Sequence, residues 1–157
     1  MDTIPITVEG FNKLKAELER LKTVDRKEII EAIKEARSHG DLSENAEYDA
    51  AKERQGLIEA RITELESKMG RFDVIDTSQM KGDKIMFGAS VKLENIDNGE
   101  VRNYTIVGPD EADISQGKVS ILSPLSRAII GKKAGDDVIV QAPGGDIEYE
   151  IVEVAFV

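Results

Sequence analysis

The segment Arg37-Ser38-His39-Gly40-Asp41-Leu42-Ser43-Glu44-Asn45-Ala46-Glu47-Tyr48-Asp49 gathers four carboxylates, an imidazole and a guanidinium in a short stretch. Carboxylate oxygens suit magnesium, but that ion demands about six oxygens in octahedral array and usually keeps waters or substrate phosphates. Asp41 and Glu44 on a turn therefore supply only part of a shell. They could complete a site carried by another macromolecule, where a second metal clamps an in-line phosphoryl displacement. Local chemistry offers an equally ordinary role. Asp41 can N-cap a following helix, and Glu44, three residues on, can complete a capping box. The two roles are compatible, because a capped turn holds its carboxylates in fixed positions. His39 could serve as a general base, although a turn histidine is more commonly solvated or a cap. Lys34 and Arg37 could face Lys52 across a hairpin, with Arg54 nearby, as a small positive patch below an acidic point. The common alternative is solvated helix-face charge paired with Glu35 and Glu53. Tyr48 could stack on a base or simply pack between helices. Leu42 is either an exposed apolar contact or a staple closing the turn.

Two helices must carry this turn. Pro5 lies just before the first, and Thr7 is its expected N-cap. Phe11, Leu14, Leu18 and Leu21 follow one another at intervals of 3, 4 and 3, a coiled-coil seam. The register then slips, because Asp25 and Glu28 fall where the seam should continue. It resumes at Ile29 or Ile30, Ile33 and Ala36, which predicts a skip that locally alters the supercoil. Gly40 stands where a left-handed terminator belongs. The second helix is expected from Asp41 to about Phe72, with its seam at Ala51, Ile58, Ile62, Leu65, Met69 and Phe72. A short connection makes the two helices antiparallel neighbours. Each arm, at about 30 residues and 1.5 Å per residue, is roughly 45 Å long. Alanines near the turn thin the tip, and such a rod is expected to project into solvent or into something else.

From Thr77 onward the pattern becomes strand-like. The expected strands are 84–96, 100–107, 118–122, 137–141 and 148–155. Asp97-Asn98-Gly99 marks a hairpin, and Ile147, Tyr149 and Ile151 alternate with Glu148 and Glu150. Ser123 as N-cap, Pro124 in the first turn and Gly131 as terminator predict a short helix. The expected core is Val91, Leu93, Ile106, Ile121, Ile129, Ile130, Val138, Val140, Ile151 and Val154. The fold class is therefore α+β: an antiparallel helical hairpin over residues 1–76, then an antiparallel sheet domain with a short helix over 77–157.

Composition narrows the chemistry. The chain has 157 residues with 31 acidic against 21 basic, a net charge of −10. Both halves are net acidic. Autonomous nucleic-acid binding is expected to be weak or absent, because phosphate neutralisation normally calls for a basic protein. There is no Cys and a single His, which excludes disulfides, thiol catalysis, Cys-ligated zinc and a His-rich metal site. No apolar run approaches a membrane span, and Met1 to Thr7 lacks the pattern of a signal peptide. A cytoplasmic protein without a membrane role is the expectation.

The tip segment from Ala36 to Tyr48, continuing through Ala50-Ala51-Lys52-Glu53, resembles the GreA/GreB family of bacterial transcript-cleavage factors. Ser123-Pro124-Leu125-Ser126-Arg127-Ala128-Ile129-Ile130-Gly131-Lys132 matches as well, as do Pro143-Gly144-Gly145 and Glu148-Tyr149-Glu150-Ile151. The likeness spans nearly the whole chain, and the tip motif is highly specific. It implies an N-terminal antiparallel coiled coil and a C-terminal FKBP-like domain that docks on RNA polymerase, without prolyl isomerase activity. The hairpin would enter the polymerase secondary channel. Asp41 and Glu44 would be the catalytic pair, helping to hold a magnesium ion of the polymerase active site and to position the attacking water. The free protein would hold no stable cofactor, and the polymerase, not this chain, would be the enzyme. Backtracked RNA would be cleaved near its 3′ end and elongation would resume. Arg37 and Lys52 would contact the nascent RNA 3′ segment, Ser123 and Pro124 would dock on the polymerase, and DNA would be met only within that complex. Family members often carry Arg where Lys52 stands, and a lysine offers a point charge, not a bidentate fork. Asp49 weakens the basic patch, which points to the branch that releases short fragments. Two other readings are weaker. A channel-occupying inhibitor would have an altered acidic pair, and here both carboxylates are present. A prolyl isomerase needs an aromatic-lined pocket, and the second half offers only Phe87, Tyr104, Tyr149 and Phe156.

Overall fold

The computed structural model describes residues 2–40 and 45–156. In chain order these form β1 (Ile4–Thr7), α1 (Val8–Arg20), a π-helical turn (Leu21–Asp25), α2 (Arg26–Ser38), α3 (Ala46–Met69), β2 (Phe72–Ile75), β3 (Ala89–Asn95), β4 (Val101–Val107), β5 (Lys118–Ser120), α4 (Pro124–Ile129), β6 (Asp137–Ala142) and β7 (Gly145–Phe156). The chain divides into two compact units. One is Asn12–Phe72. The other joins Asp2–Phe11 to the chain from Asp73 onward. In the second unit β1 pairs with β2, and Thr7 bonds to Glu111.

The hairpin unit buries one stripe from each arm. Leu14, Leu21, Ile29, Ile33 and Ala36 face Ala51, Ile58, Ile62 and Leu65. The sequence left Ile29 and Ile30 open as alternatives. Ile29 is 3% exposed and Ile30 is 41% exposed. The spacing from Leu21 to Ile29 is one residue longer than a heptad, and the π-helical turn at Leu21–Asp25 absorbs it. The expected skip is thus a wide turn that returns the stripe to the same face. Ion pairs flank the stripe: Arg26 to Glu59 at 2.8 Å, Lys22 to Glu66 at 3.3 Å, and Arg61 to Glu17 at 2.6 Å. The hydrogen bond from Arg26 holds the Glu59 carboxyl below its ordinary range. These pairs are exposed and screened by solvent, so they add little and the apolar stripe carries the unit.

Two helix limits differ from expectation. The second helix begins at Ala46, not Asp41, and ends at Met69, not Phe72. Gly70 is a poor helix residue, and Phe72 starts β2, half-buried, instead of closing the seam. Gly40 has φ +101°, the left-handed terminator that the sequence required.

The second unit holds a five-stranded sheet in the order β5-β4-β3-β7-β6. The sequence reading made it wholly antiparallel, and it is mixed. β5 runs parallel to β4, with Ile106 opposite Val119. Parallel neighbours cannot be joined by a tight turn, and residues 108–117 form the longer connection. The first strand starts at Ala89 instead of Lys84. Ile85 bonds instead to the loop after α4, donating to the Lys132 carbonyl and accepting from Gly131 N–H, both at 2.8 Å. Ile85, Leu93, Ile106, Ile129 and Ile151 are fully buried and form the core. Ile130, expected inside, is 38% exposed. α4 is built as expected, with the Ser123 hydroxyl accepting from Ser126 N–H at 3.2 Å and Pro124 in the first turn.

Candidate functional site

The closed end of the hairpin is defined by what brackets it. Asp41 and Glu44 lie outside the described residues, together with Leu42 and Ser43. On one side α2 ends at Ser38. His39 N–H reaches the Ala36 carbonyl at 3.3 Å and Gly40 N–H reaches that of Arg37 at 3.2 Å. On the other side α3 begins behind Asn45, whose backbone is extended. Its Oδ1 accepts from Tyr48 N–H at 3.1 Å, which is the N-cap bond. Its Nδ2 donates to the Ala36 carbonyl at 2.6 Å. One side chain therefore closes the start of α3 and the end of α2 at once.

This corrects the capping assignment. Asn45, not Asp41 with Glu44, caps the second helix, because its amide presents an acceptor to α3 and a donor to α2 together. A carboxylate has no donor and could do only half of this. Asn directly before a helical run is a strong cap signal, and it was legible. The expected capping box begins four residues earlier, at Asp41.

The remaining predicted residues separate into pairs. His39 Nδ1 meets Glu47 Oε2 at 3.1 Å, which ties the imidazole across the turn. The Arg37 guanidinium carbon lies 6.0 Å from the centroid of Tyr48, at the outer reach of a cation–π contact. Tyr48 thus supports Arg37 at the hairpin end. Lys52 Nζ bonds Gln55 Oε1 at 3.1 Å, on its own helix, and Lys34 pairs with Glu31 at 3.5 Å instead of Glu35. Arg37 and Lys52 are both exposed but held by different neighbours. Glu47 and Asp49 sit in the first turn of α3, where its dipole favours negative charge. Among the described residues no group of three or more acidic, His or Cys side chains could hold a metal, and no helix is long and apolar enough to cross a membrane.

The second predicted site is on α4. The Ser123 hydroxyl is taken up by its cap and by Ser126 Oγ at 3.1 Å. Pro124, Arg127, Ala128, Ile139, Gln141 and Asp146 line an open cleft of about 590 Å³. Ile139 is 60% exposed there, and Leu122, just before the helix, 59%.

Comparison with known proteins places the chain. Residues 4–74 match the family described as "Transcription elongation factor, N-terminal". Residues 79–156 match "Transcription elongation factor, GreA/GreB, C-term". The protein named transcription elongation factor GreA of Nitratidesulfovibrio vulgaris (strain DSM 19637 / Miyazaki F) is 57% identical over 99% of this chain and 97% of its own. That of Hyphomonas neptunium is 54% identical over 99% of each. A crystal structure of GreA factor homolog 1 of Thermus thermophilus shares 28% identity over 98% of this chain and 99% of its own, with a TM-score of 0.44. The chain belongs to the GreA/GreB family of transcription elongation factors.

Proposed function

We propose that this chain binds RNA polymerase, passes its hairpin through the secondary channel, and stimulates the polymerase's own cleavage of backtracked RNA. The observation that carries this reading is the Asn45 clamp. Its bonds to Ala36 and Tyr48 hold the end of α2 and the start of α3, between which Asp41 and Glu44 fall in the sequence. A metal-assisted step needs its carboxylates delivered with little positional freedom.

The donor set suits magnesium. Two carboxylates offer the hard oxygens it prefers, yet too few to make a shell alone, as a site shared with the polymerase requires. When bound, the ion would stabilise charge developing on the scissile phosphate. Asp41 and Glu44 would hold it from the hairpin side and orient the attacking water by accepting its protons in hydrogen bonds. Arg37, backed by Tyr48, would meet an RNA phosphate, and Lys52 would add an unspecific positive charge. Ser123 and Pro124, beside the cleft and the exposed Leu122 and Ile139, would face the polymerase. The chemistry would remain the polymerase's, and the protein would act in the cytoplasm, where that enzyme works.

The test is a stalled, backtracked transcription complex with 3′-labelled RNA, magnesium and this protein. The wild-type chain should release short 3′ fragments. Asp41→Asn and Glu44→Gln should each slow release by about 100-fold or more, since even outer-shell partners of a metal are typically worth roughly 10–100-fold. Binding to the polymerase should be unchanged. Wild-type rates in both variants would refute the mechanism. Binding without release by the wild-type chain would instead indicate a factor that occupies the channel.

A further inference from the structure

The backbone pairing of Ile85 sets two lysines side by side. Ile85 N–H reaches the Lys132 carbonyl and Gly131 N–H reaches the Ile85 carbonyl, both at 2.8 Å. This short antiparallel pairing puts Lys84 directly opposite Lys133. Residues so placed share a face, with Cβ atoms about 4.5–5.5 Å apart, and like charges there are destabilising. Lys81 and Lys132 flank the two in the chain. All four are exposed, and they are half of the eight basic residues from Thr77 onward.

The fold leaves that repulsion unrelieved. Among the described residues, none of the four ammonium groups has an ion pair or a hydrogen bond. The acids closest in sequence are Asp83 and Asp136, and the Asp136 carboxylate accepts from the backbone N–H of Lys133 at 3.0 Å. Two exposed apolar side chains accompany the charges: Met86, two residues after Lys84, and Ile130, two before Lys132. α4 has six residues and is about 9 Å long. The lysines therefore follow one end of this short helix, and Ser123 with Pro124 begins the other.

We infer that Lys84, Lys133, Met86 and Ile130 form a docking surface for an acidic patch of RNA polymerase, one that brings carboxylates around an apolar contact. The inference rests on the reading that this chain binds the polymerase. It adds a charged contact that Ser123 and Pro124, both uncharged, do not supply. Apolar side chains ringed by polar groups are the pattern of a protein interface. A phosphate backbone would meet the lysines but offers no apolar complement to Met86 and Ile130.

The test is equilibrium binding of the full chain to core RNA polymerase free of nucleic acid, at low and at high salt. Lys84→Glu/Lys133→Glu should raise Kd by about 10-fold or more at low salt, because like charges opposed across an interface are strongly unfavourable. The rise should shrink at high salt, where exposed charges are screened. Lys84→Arg/Lys133→Arg keeps the charge and should bind within about 3-fold of the wild type. Lys92→Glu/Lys118→Glu makes the same change in net charge elsewhere in the sheet unit and should also stay within about 3-fold. Met86→Ser should weaken binding to a similar degree at both salt concentrations, as the loss of an apolar contact does. Each variant is compared at an unchanged near-ultraviolet tyrosine signal, so that a folding defect is not read as lost binding. Equal weakening by the two charge-reversing pairs would overturn the surface, since net charge alone would then be responsible. Lysine-dependent binding of single-stranded RNA, with polymerase affinity unmoved by Lys84→Glu/Lys133→Glu, would overturn it in favour of phosphate. An unaltered affinity after Met86→Ser would remove the apolar contact from it. A wild-type chain that does not bind the polymerase would sink the proposed function and this inference together. Wild-type binding that Lys84→Glu/Lys133→Glu leaves intact would sink the inference alone.

Discussion

At the scale of single residues, the hairpin end is organised by a group with no charge. Asn45 joins the two helices through opposite ends of one amide, to Tyr48 N–H and the Ala36 carbonyl. Asn45→Ala removes the cap and one bond to the α2 terminus, a loss of about 1–2 kcal/mol. Asn45→Asp keeps the acceptor for Tyr48 but turns an oxygen toward the Ala36 carbonyl. Hydrogen exchange at the Tyr48 amide should therefore accelerate strongly in the alanine variant and little in the aspartate variant. Equal exchange in both would mean that the cap bond does not govern the start of α3. The same residue shows how far the candidate site was legible. Residue types and order marked Gly40 as the end of the first arm, while Asp41 and Glu44 lie outside the described residues. They could not reveal that His39 engages Glu47 or that Arg37 lies over Tyr48. Those contacts depend on how two helices end against each other, and neither end has a periodic signal of its own.

At the scale of elements, the seams were legible because burial repeats at a helical period. Even the fault in the first seam was visible as an apolar stripe arriving one residue late. Its cause was not, since a π-helical turn and a break in the helix leave the same mark on the sequence. The turn at Leu21–Asp25 permits a sharp check. Deleting Thr23 brings Leu21 and Ile29 to a seven-residue spacing, which an ordinary α-helix satisfies. The melting temperature should stay within about 5 °C, a change of about 1 kcal/mol or less. Deleting Ala60 from α3 should cost far more, because no wide turn is there to absorb it and every later residue rotates by about 100°. Comparable losses from the two deletions would show that the wide turn is needed for the hairpin to form. The sheet was less legible than the helices. Alternation identified β3, β4, β6 and β7, but strand direction is set by the connection. Residues 108–117 carry no pattern that distinguishes a return from a crossover. The segment 84–88 has strand-like residues yet bonds to the loop after α4, a tertiary choice that outweighs propensity.

At the scale of the whole molecule, the two units hold themselves together differently. The sheet unit has a core with full three-dimensional closure, where Leu93, Ile106, Ile129 and Ile151 are entirely buried. The hairpin has one stripe two helices wide, edged by exposed ion pairs that add little. Nothing requires both to unfold at one temperature, since two-state behaviour is a property of single cooperative domains. Heating should therefore remove the far-ultraviolet helical signal first. The near-ultraviolet tyrosine signal should follow, because Tyr104 and Tyr149 pack against the sheet core. Ile62→Ala and Leu93→Ala, each deleting a buried side chain at about 2–5 kcal/mol, separate the two steps. The first should lower only the helical transition and the second only the tyrosine transition, in each case by roughly 10 °C or more for units of this size. A single transition shifted equally by both variants would make the chain one cooperative body.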